Sequence, residues 1–198
     1  VLSAVVIGNG ESRINLNLSN VVKNNVSIGC NAIHRDFLTD HIVCCDKRMV
    51  EEVINNSLTC NSIIYVRYDW YQYFKKIKKQ KNVRLVPNLP YEGSLKQDDP
   101  INWGSGCYAV LLAAHLGYEN IKLIGFDLYS KDNLVNNIYK GTSNYSSADK
   151  NSVDPSFWIY QIEKVFSHFP NSHFEISNHK HWKMPKEWQK NNVSFVAL

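Results

Sequence analysis

Short, continuous apolar runs recur along this chain, and each stops abruptly on a glycine, a proline or a polar residue. They cover residues 3–7, 26–30, 41–45, 62–66, 83–86, 121–124 and 173–176, with Gly8, Asn31, Asp46, Pro87 and Gly125 among the residues that end them. A strand with one wet face alternates apolar and polar residues, whereas an unbroken run suits a strand covered on both faces, as in a parallel sheet. Helical patterns fill the intervals. Residues 47–55 have helical spacing, Asp69 caps a predicted helix to about residue 79, and residues 103–116 form an apolar helix ended by Gly117. Asp154 and Pro155 then open a helix to about residue 169. Strands alternating with helices predict an α/β fold with a doubly wound, mostly parallel sheet of Rossmann-like type. The length, 198 residues, suits a single nucleotide-binding domain over 1–198.

Two polar stretches interrupt this pattern. Residues 87–100, with Gly93 and several prolines, read as a surface loop. Residues 130–154, rich in Asn and Ser, read as a short polar lid. The tail from Ser177 carries Trp182 and Trp188 and is expected to pack back on the body.

Composition narrows the function classes. A formal net charge of +4, scattered along the chain, is too small to indicate nucleic-acid binding. The most basic run, 75–81, reads as a solvated helix face. Five cysteines without a CxxC pair point to reduced, buried thiols and a cytoplasmic location. The apolar first residues lack a basic n-region and a cleavage site, so they read as a strand rather than a leader. No stretch reaches the about 18 apolar residues of a transmembrane segment. The composition is also compatible with a homo-oligomer.

In a doubly wound sheet, ligands bind at the carboxyl ends of the strands near the switch point. That rule nominates Gly8 to Ser12, Asn31, Asp46, and Gly125 to Tyr129. Gly8 and Gly10 let a ligand approach the backbone closely, and a following helix would offer free N–H groups to a phosphate. Gly-Asn-Gly-Glu-Ser is neither the full dinucleotide fingerprint nor a Walker loop, so a plain tight turn remains open. Gly104-Ser105-Gly106 opens the apolar helix and suits either an anion or close packing. Asp127 suits a ribose, a metal or a turn cap. Asp98-Asp99 reads as a solvated turn and His115 as structural, while His34 is placed toward the cleft. His179 and His181 share a face but have no third partner, so no metal site is assigned.

Three blocks carry a family resemblance. Val5-Val6-Ile7-Gly8-Asn9-Gly10-Glu11-Ser12, Cys30-Asn31 with His34, Asp36 and Phe37, and Gly104 to Val110 followed by Leu116 to Tyr129 recur in the same order in bacterial lipo-oligosaccharide sialyltransferases. The chain resembles that family over roughly residues 4–130, and also resembles Rossmann-like proteins of pterin diphosphokinase type. The sialyltransferase resemblance implies a CMP-sugar donor as substrate, a glycan acceptor, and no required cofactor or metal. It implies that Asn9 contacts the donor phosphate or ribose, that Asn31 lies beside donor and acceptor, and that Ser105 and Gly106 hold the nucleotide. Tyr129, with Tyr139 or Tyr145, would donate hydroxyls to the leaving phosphate, where negative charge grows in the transition state. The family's lid histidine, its general base, has no counterpart in 130–154. Asp149 and Asp132 are then the candidates for the base, with His34 beside them. Asn102-Trp103 stands where the family has an arginine. The diphosphokinase resemblance implies instead ATP with Mg²⁺ held by Asp46 and Asp127. A non-catalytic nucleotide- or sugar-binding module is the third reading.

Overall fold

The computed structural model describes residues 2–77 and 81–198. Eight strands form one sheet, in the order β5-β4-β3-β2-β1-β6-β7-β8, and every neighbouring pair is parallel. The strands are β1 Ser3–Ile7, β2 Val26–Cys30, β3 His41–Cys44, β4 Ile63–Val66, β5 Val83–Leu85, β6 Asn120–Ile124, β7 His173–Asn178 and β8 Val193–Ala197. The helices are α1 Leu18–Val21, α2 Lys47–Asn55, α3 Tyr68–Gln72, α4 Ser105–His115 and α5 Ser156–His168.

The unbroken apolar runs have the expected meaning. Along β1, Ala4 and Val6 join one core with α4 and α5, while Val5 and Ile7 join the other with α2 and Phe74. Both faces of the strand are covered from Ala4 to Ile7, and these four positions are apolar. Helix α4 is buried from Cys107 to Ala114 and packs on β1, β2 and β3. A helix with apolar residues all round has no face to give to water, which explains its place over the sheet centre.

The chain leaves β1 for β2 on one side and enters β6 on the other, so the switch point lies between β1 and β6. Only glycine fits the closest approach there. A Cβ on Gly8 would lie 2.5 Å from the Gly125 carbonyl oxygen, and one on Gly125, at φ +70°, 2.6 Å from that of Gly8.

Some boundaries differ from expectation. Helix α3 starts at Tyr68 with Arg67 as N-cap and widens into a π-turn over Tyr73–Ile77. Asp69 is not its cap but the ion-pair partner of Arg67. The rest of that helix's predicted span and part of the basic run, residues 78–80, lie outside the described residues. The loop at 87–100 contains a 3₁₀ turn, Lys96–Asp98, whose Asp98 is buried, accepting from the Leu95 N–H and the Tyr160 hydroxyl. It is not the solvated residue the sequence suggests. His115 is exposed at the end of α4, and Cys60 alone among the cysteines is exposed. The tail forms β8, an edge strand the apolar pattern does not announce. Among the described residues no helix is long and apolar enough to cross a membrane.

Candidate functional site

A cleft of about 600 Å³ opens at the carboxyl ends of β1, β2, β3, β4 and β6. The first wall is the β1 loop. Asn9 is buried, donates from Nδ2 to the Cys30 carbonyl at 3.1 Å, and so ties β1 to β2. Gly10 donates its N–H to the Gly125 carbonyl at 2.9 Å. The loop is held from behind by Arg13. Its Nε donates to the Gly8 carbonyl at 2.7 Å, and its Nη2 to the Tyr139 hydroxyl at 2.9 Å and toward Asn9 Oδ1 at 3.4 Å.

The second wall is the β2 end. Asn31 adopts a left-handed conformation, φ +54°, directly after the strand. Its Oδ1 is buried, and no donor among the described residues reaches it. The third wall is the start of α4. No side chain caps this helix, and the Ser105 and Gly106 N–H groups have no intrahelical acceptor. The Ser105 hydroxyl accepts from the Cys45 N–H at 3.0 Å and also engages the Cys45 thiol, fixing α4 against the end of β3. The roof is part of 130–154. The Tyr145 hydroxyl accepts from the Ala32 N–H at 3.3 Å beside Asn31, and its proton is free to be donated.

The floor includes Cys30, Cys45 and Cys107, all buried. Burial pushes the Cys30 and Cys45 thiols up to about 12, partly offset by Arg13 at Cys30 and by Ser105 at Cys45, and raises Cys107 further. They are protonated near neutrality and do not act as nucleophiles. Burial likewise raises the Tyr145 phenol, which stays a donor.

Gly8, Asn9, Gly10, Asn31, Ser105, Gly106, Asp127 and Tyr145 therefore meet around one cleft. Asp46, Gly125, Phe126 and Leu128 line it too, whereas Ser12, Tyr129, Tyr139, His34, Asp132 and Asp149 do not. Ser12 is buried behind the loop and donates both its N–H (2.9 Å) and its hydroxyl to the Asp127 carboxylate. Asn178 adds a third donor to Asp127 at 3.2 Å, so this carboxylate braces the β1 loop. Leu128, at φ +62°, makes a tight turn in which the Tyr129 N–H donates to the Asp127 carbonyl at 2.6 Å, and Tyr129 swings to the surface, 42% exposed. Tyr139 is buried away from the cleft, between Arg13 and Asp36. His34 is also buried, with Nε2 3.2 Å from Glu52 and Nδ1 3.4 Å from the Asn31 carbonyl. Asp132 lines, with Ser130 and Lys131, an adjoining cavity of about 230 Å³ that shares Asp127 and Asn136 with the cleft. Asp149 is exposed and accepts from Ser147. None of the three candidate bases lines the cleft.

Two further lining residues carry charge: Asp46, a nominated post-strand residue, and Arg67, which no sequence motif marks. Arg67, at the end of β4, is the single cation among the described residues of the cleft. Its Nε and Nη2 grip Asp69 at 2.8 and 2.7 Å, and its Nη1 donates to the Ile101 carbonyl at 2.7 Å. This places a fixed guanidinium just before α4, where Asn102-Trp103 offers none. Asp46, at the end of β3, is exposed and lines the same cleft. The signal for both was positional: each follows an apolar run at the same sheet edge.

The sheet, its order and its switch-point cleft define an α/β Rossmann-like protein, and a solved structure shares that architecture. The chain is similar to a point mutant of the alpha-2,3/8-sialyltransferase CstII, with a TM-score of 0.53 and 14% identity over 88% of this chain and 80% of that one. No family model matches the chain, and no curated protein matches it in sequence. The similarity shows the sialyltransferase-like fold.

Proposed function

We propose that the cleft binds a nucleotide-sugar donor of CMP-sialic-acid type and that the protein transfers the sugar to a glycan acceptor. The observation that carries this reading is the uncapped start of α4. Two N–H groups without an intrahelical acceptor and the Ser105 hydroxyl lie there at a cleft in which Arg67 is the one cation among the described residues. A helix N-terminus of this kind suits a phosphate. Asn31 Oδ1, buried with no donor among the described residues, suits a hydroxyl or amino group of the ligand. The neighbouring fold is that of an α-2,3/8-sialyltransferase, which favours a sugar nucleotide over other phosphate ligands. Tyr145 and Ser105 would donate to the departing phosphate as its charge grows.

Isothermal titration with CMP, UDP, GDP and ATP tests this reading. The expected result is CMP binding that persists in EDTA. Binding of ATP alone, and only with Mg²⁺, would favour the diphosphokinase reading, and no pyrimidine nucleotide binding at all would overturn the proposal. The position of Asp132, Asp149 and His34 outside the cleft favours a second reading, a binding module without turnover. Release of CMP from CMP-N-acetylneuraminic acid separates the two.

A further inference from the structure

We infer that Asp46 is the general base of this cleft, the group that takes the proton from the acceptor hydroxyl. The inference rests on the donor-transfer reading above and adds a residue to it.

The ionisable side chains lining the cleft among the described residues are Cys30, Cys45, Cys107, Arg67, Tyr145, Asp127 and Asp46. The thiols are buried and protonated, and a guanidinium does not accept a proton. Tyr145 is held as a donor by burial. Asp127 already accepts from Ser12 twice and from Asn178, beneath the loop. Asp46 remains, and its carboxylate has no hydrogen-bond or ion-pair partner among the described residues.

That freedom is unusual for its position. Asp46 is the N-cap of α2, where an aspartate ordinarily accepts from an N–H of the first turn. Here the side chain makes no such bond, and only the Asp46 carbonyl engages the helix, accepting from Val50 N–H at 3.0 Å. Asp46 lines the cleft. Its neighbour Cys45 is bonded to Ser105 at the start of α4, so Asp46 follows directly on the contact that fixes the proposed phosphate site. Val66 pairs with Cys44, so Arg67 leaves the adjacent strand at the same edge. A base and a fixed cation thus flank the region between β3, β4 and α4. The exposure of Asp46 lets water carry the proton away after transfer.

The step balances as follows. The acceptor O–H proton passes to an Asp46 carboxylate oxygen, and the acceptor oxygen forms a bond to the anomeric carbon. The anomeric carbon–phosphate oxygen bond breaks, and its electron pair leaves with CMP. With water as acceptor, the same step gives free sugar, CMP and one proton.

The test measures CMP binding by calorimetry, and CMP release from CMP-N-acetylneuraminic acid with water as acceptor, above the rate without protein. Asp46→Asn is expected to bind CMP as the parent protein does and to release CMP about 10²–10⁴-fold more slowly. In Asp46→Ala, added formate is expected to restore part of the rate, which a merely structural role would not allow. An Asp46→Asn protein that turns over at the parental rate overturns the assignment, as does a parent that binds CMP without releasing it from the donor. A parent that binds no CMP overturns the donor reading itself, and the base assignment with it.

Discussion

Arg13→Ala is expected to lower the unfolding free energy by about 3 kcal/mol, the lower end of the range for removing one partner of a buried ion pair. The side chain is 2% exposed, while its partner Asp36 is 41% exposed and would recover water, which sets the lower end. What would not recover is the interior. The Gly8 carbonyl would lose the Nε donor at 2.7 Å, and the Tyr139 hydroxyl the Nη2 donor at 2.9 Å. Burial and the Asp36 carboxylate hold the Tyr139 phenol well above its usual range, so it stays a donor to Asp36 and cannot replace the cation. Arg13→Lys is expected to recover little, because an ammonium on a flexible stem does not reproduce four bonds in a fixed fork. Urea unfolding of the two variants checks this. For a chain of this size the loss corresponds to a melting temperature about 6–12 °C lower. A loss below about 1 kcal/mol would mean that the β1 loop and Tyr139 are held by other contacts.

Trp188→Ala is expected to cost about 3–5 kcal/mol, the range for emptying a buried tryptophan site. Trp188 is 0% exposed and ends the 3₁₀ turn Lys186–Trp188. Its ring meets Phe166 edge-on at 5.5 Å and Trp182 at 6.2 Å, and its Nε1 donates to the Ile159 carbonyl at 3.0 Å. The same side chain anchors the approach to β8, so the variant is expected to lose protection at Val193–Ala197 before the rest of the sheet. Hydrogen exchange with mass spectrometry, beside thermal unfolding, reads both effects. Uniform loss of protection would show that β8 does not depend on this anchor.

The sheet centre was legible because burial on both faces leaves no choice of residue. The buried positions of β1, β3 and β6 are apolar throughout, those of β2 all but Ser27, and the glycines that follow β1 and β6 are demanded by backbone contact. Strand β8 was not legible, since Val-Ser-Phe-Val-Ala lies at the edge with two of its residues exposed and carries no continuous apolar signal. In the cleft, the residues that bond through backbone or lie directly after a strand were legible: Gly8, Asn9, Asn31, Ser105. Those whose direction depends on a single dihedral were not. Leu128 in the left-handed region turns Tyr129 outward, and the turn that begins at Asn31 carries His34 into the core. Arg67 was missed because its meaning comes from a carbonyl 34 positions away, that of Ile101. Asp46 was noticed as a post-strand carboxylate, but its freedom shows only once Asp127 is seen to be occupied by Ser12 and Asn178.

Titration of ¹⁵N-labelled protein with CMP tests the cleft assignment most directly, because it locates the nucleotide without requiring an acceptor. The assignment predicts saturable shifts that are largest at the Ser105, Gly106 and Asn31 amides, with Asn9 following. Shifts confined to the Ser130–Asp132 cavity or to the β8 edge, or a spectrum unchanged by CMP, would contradict it.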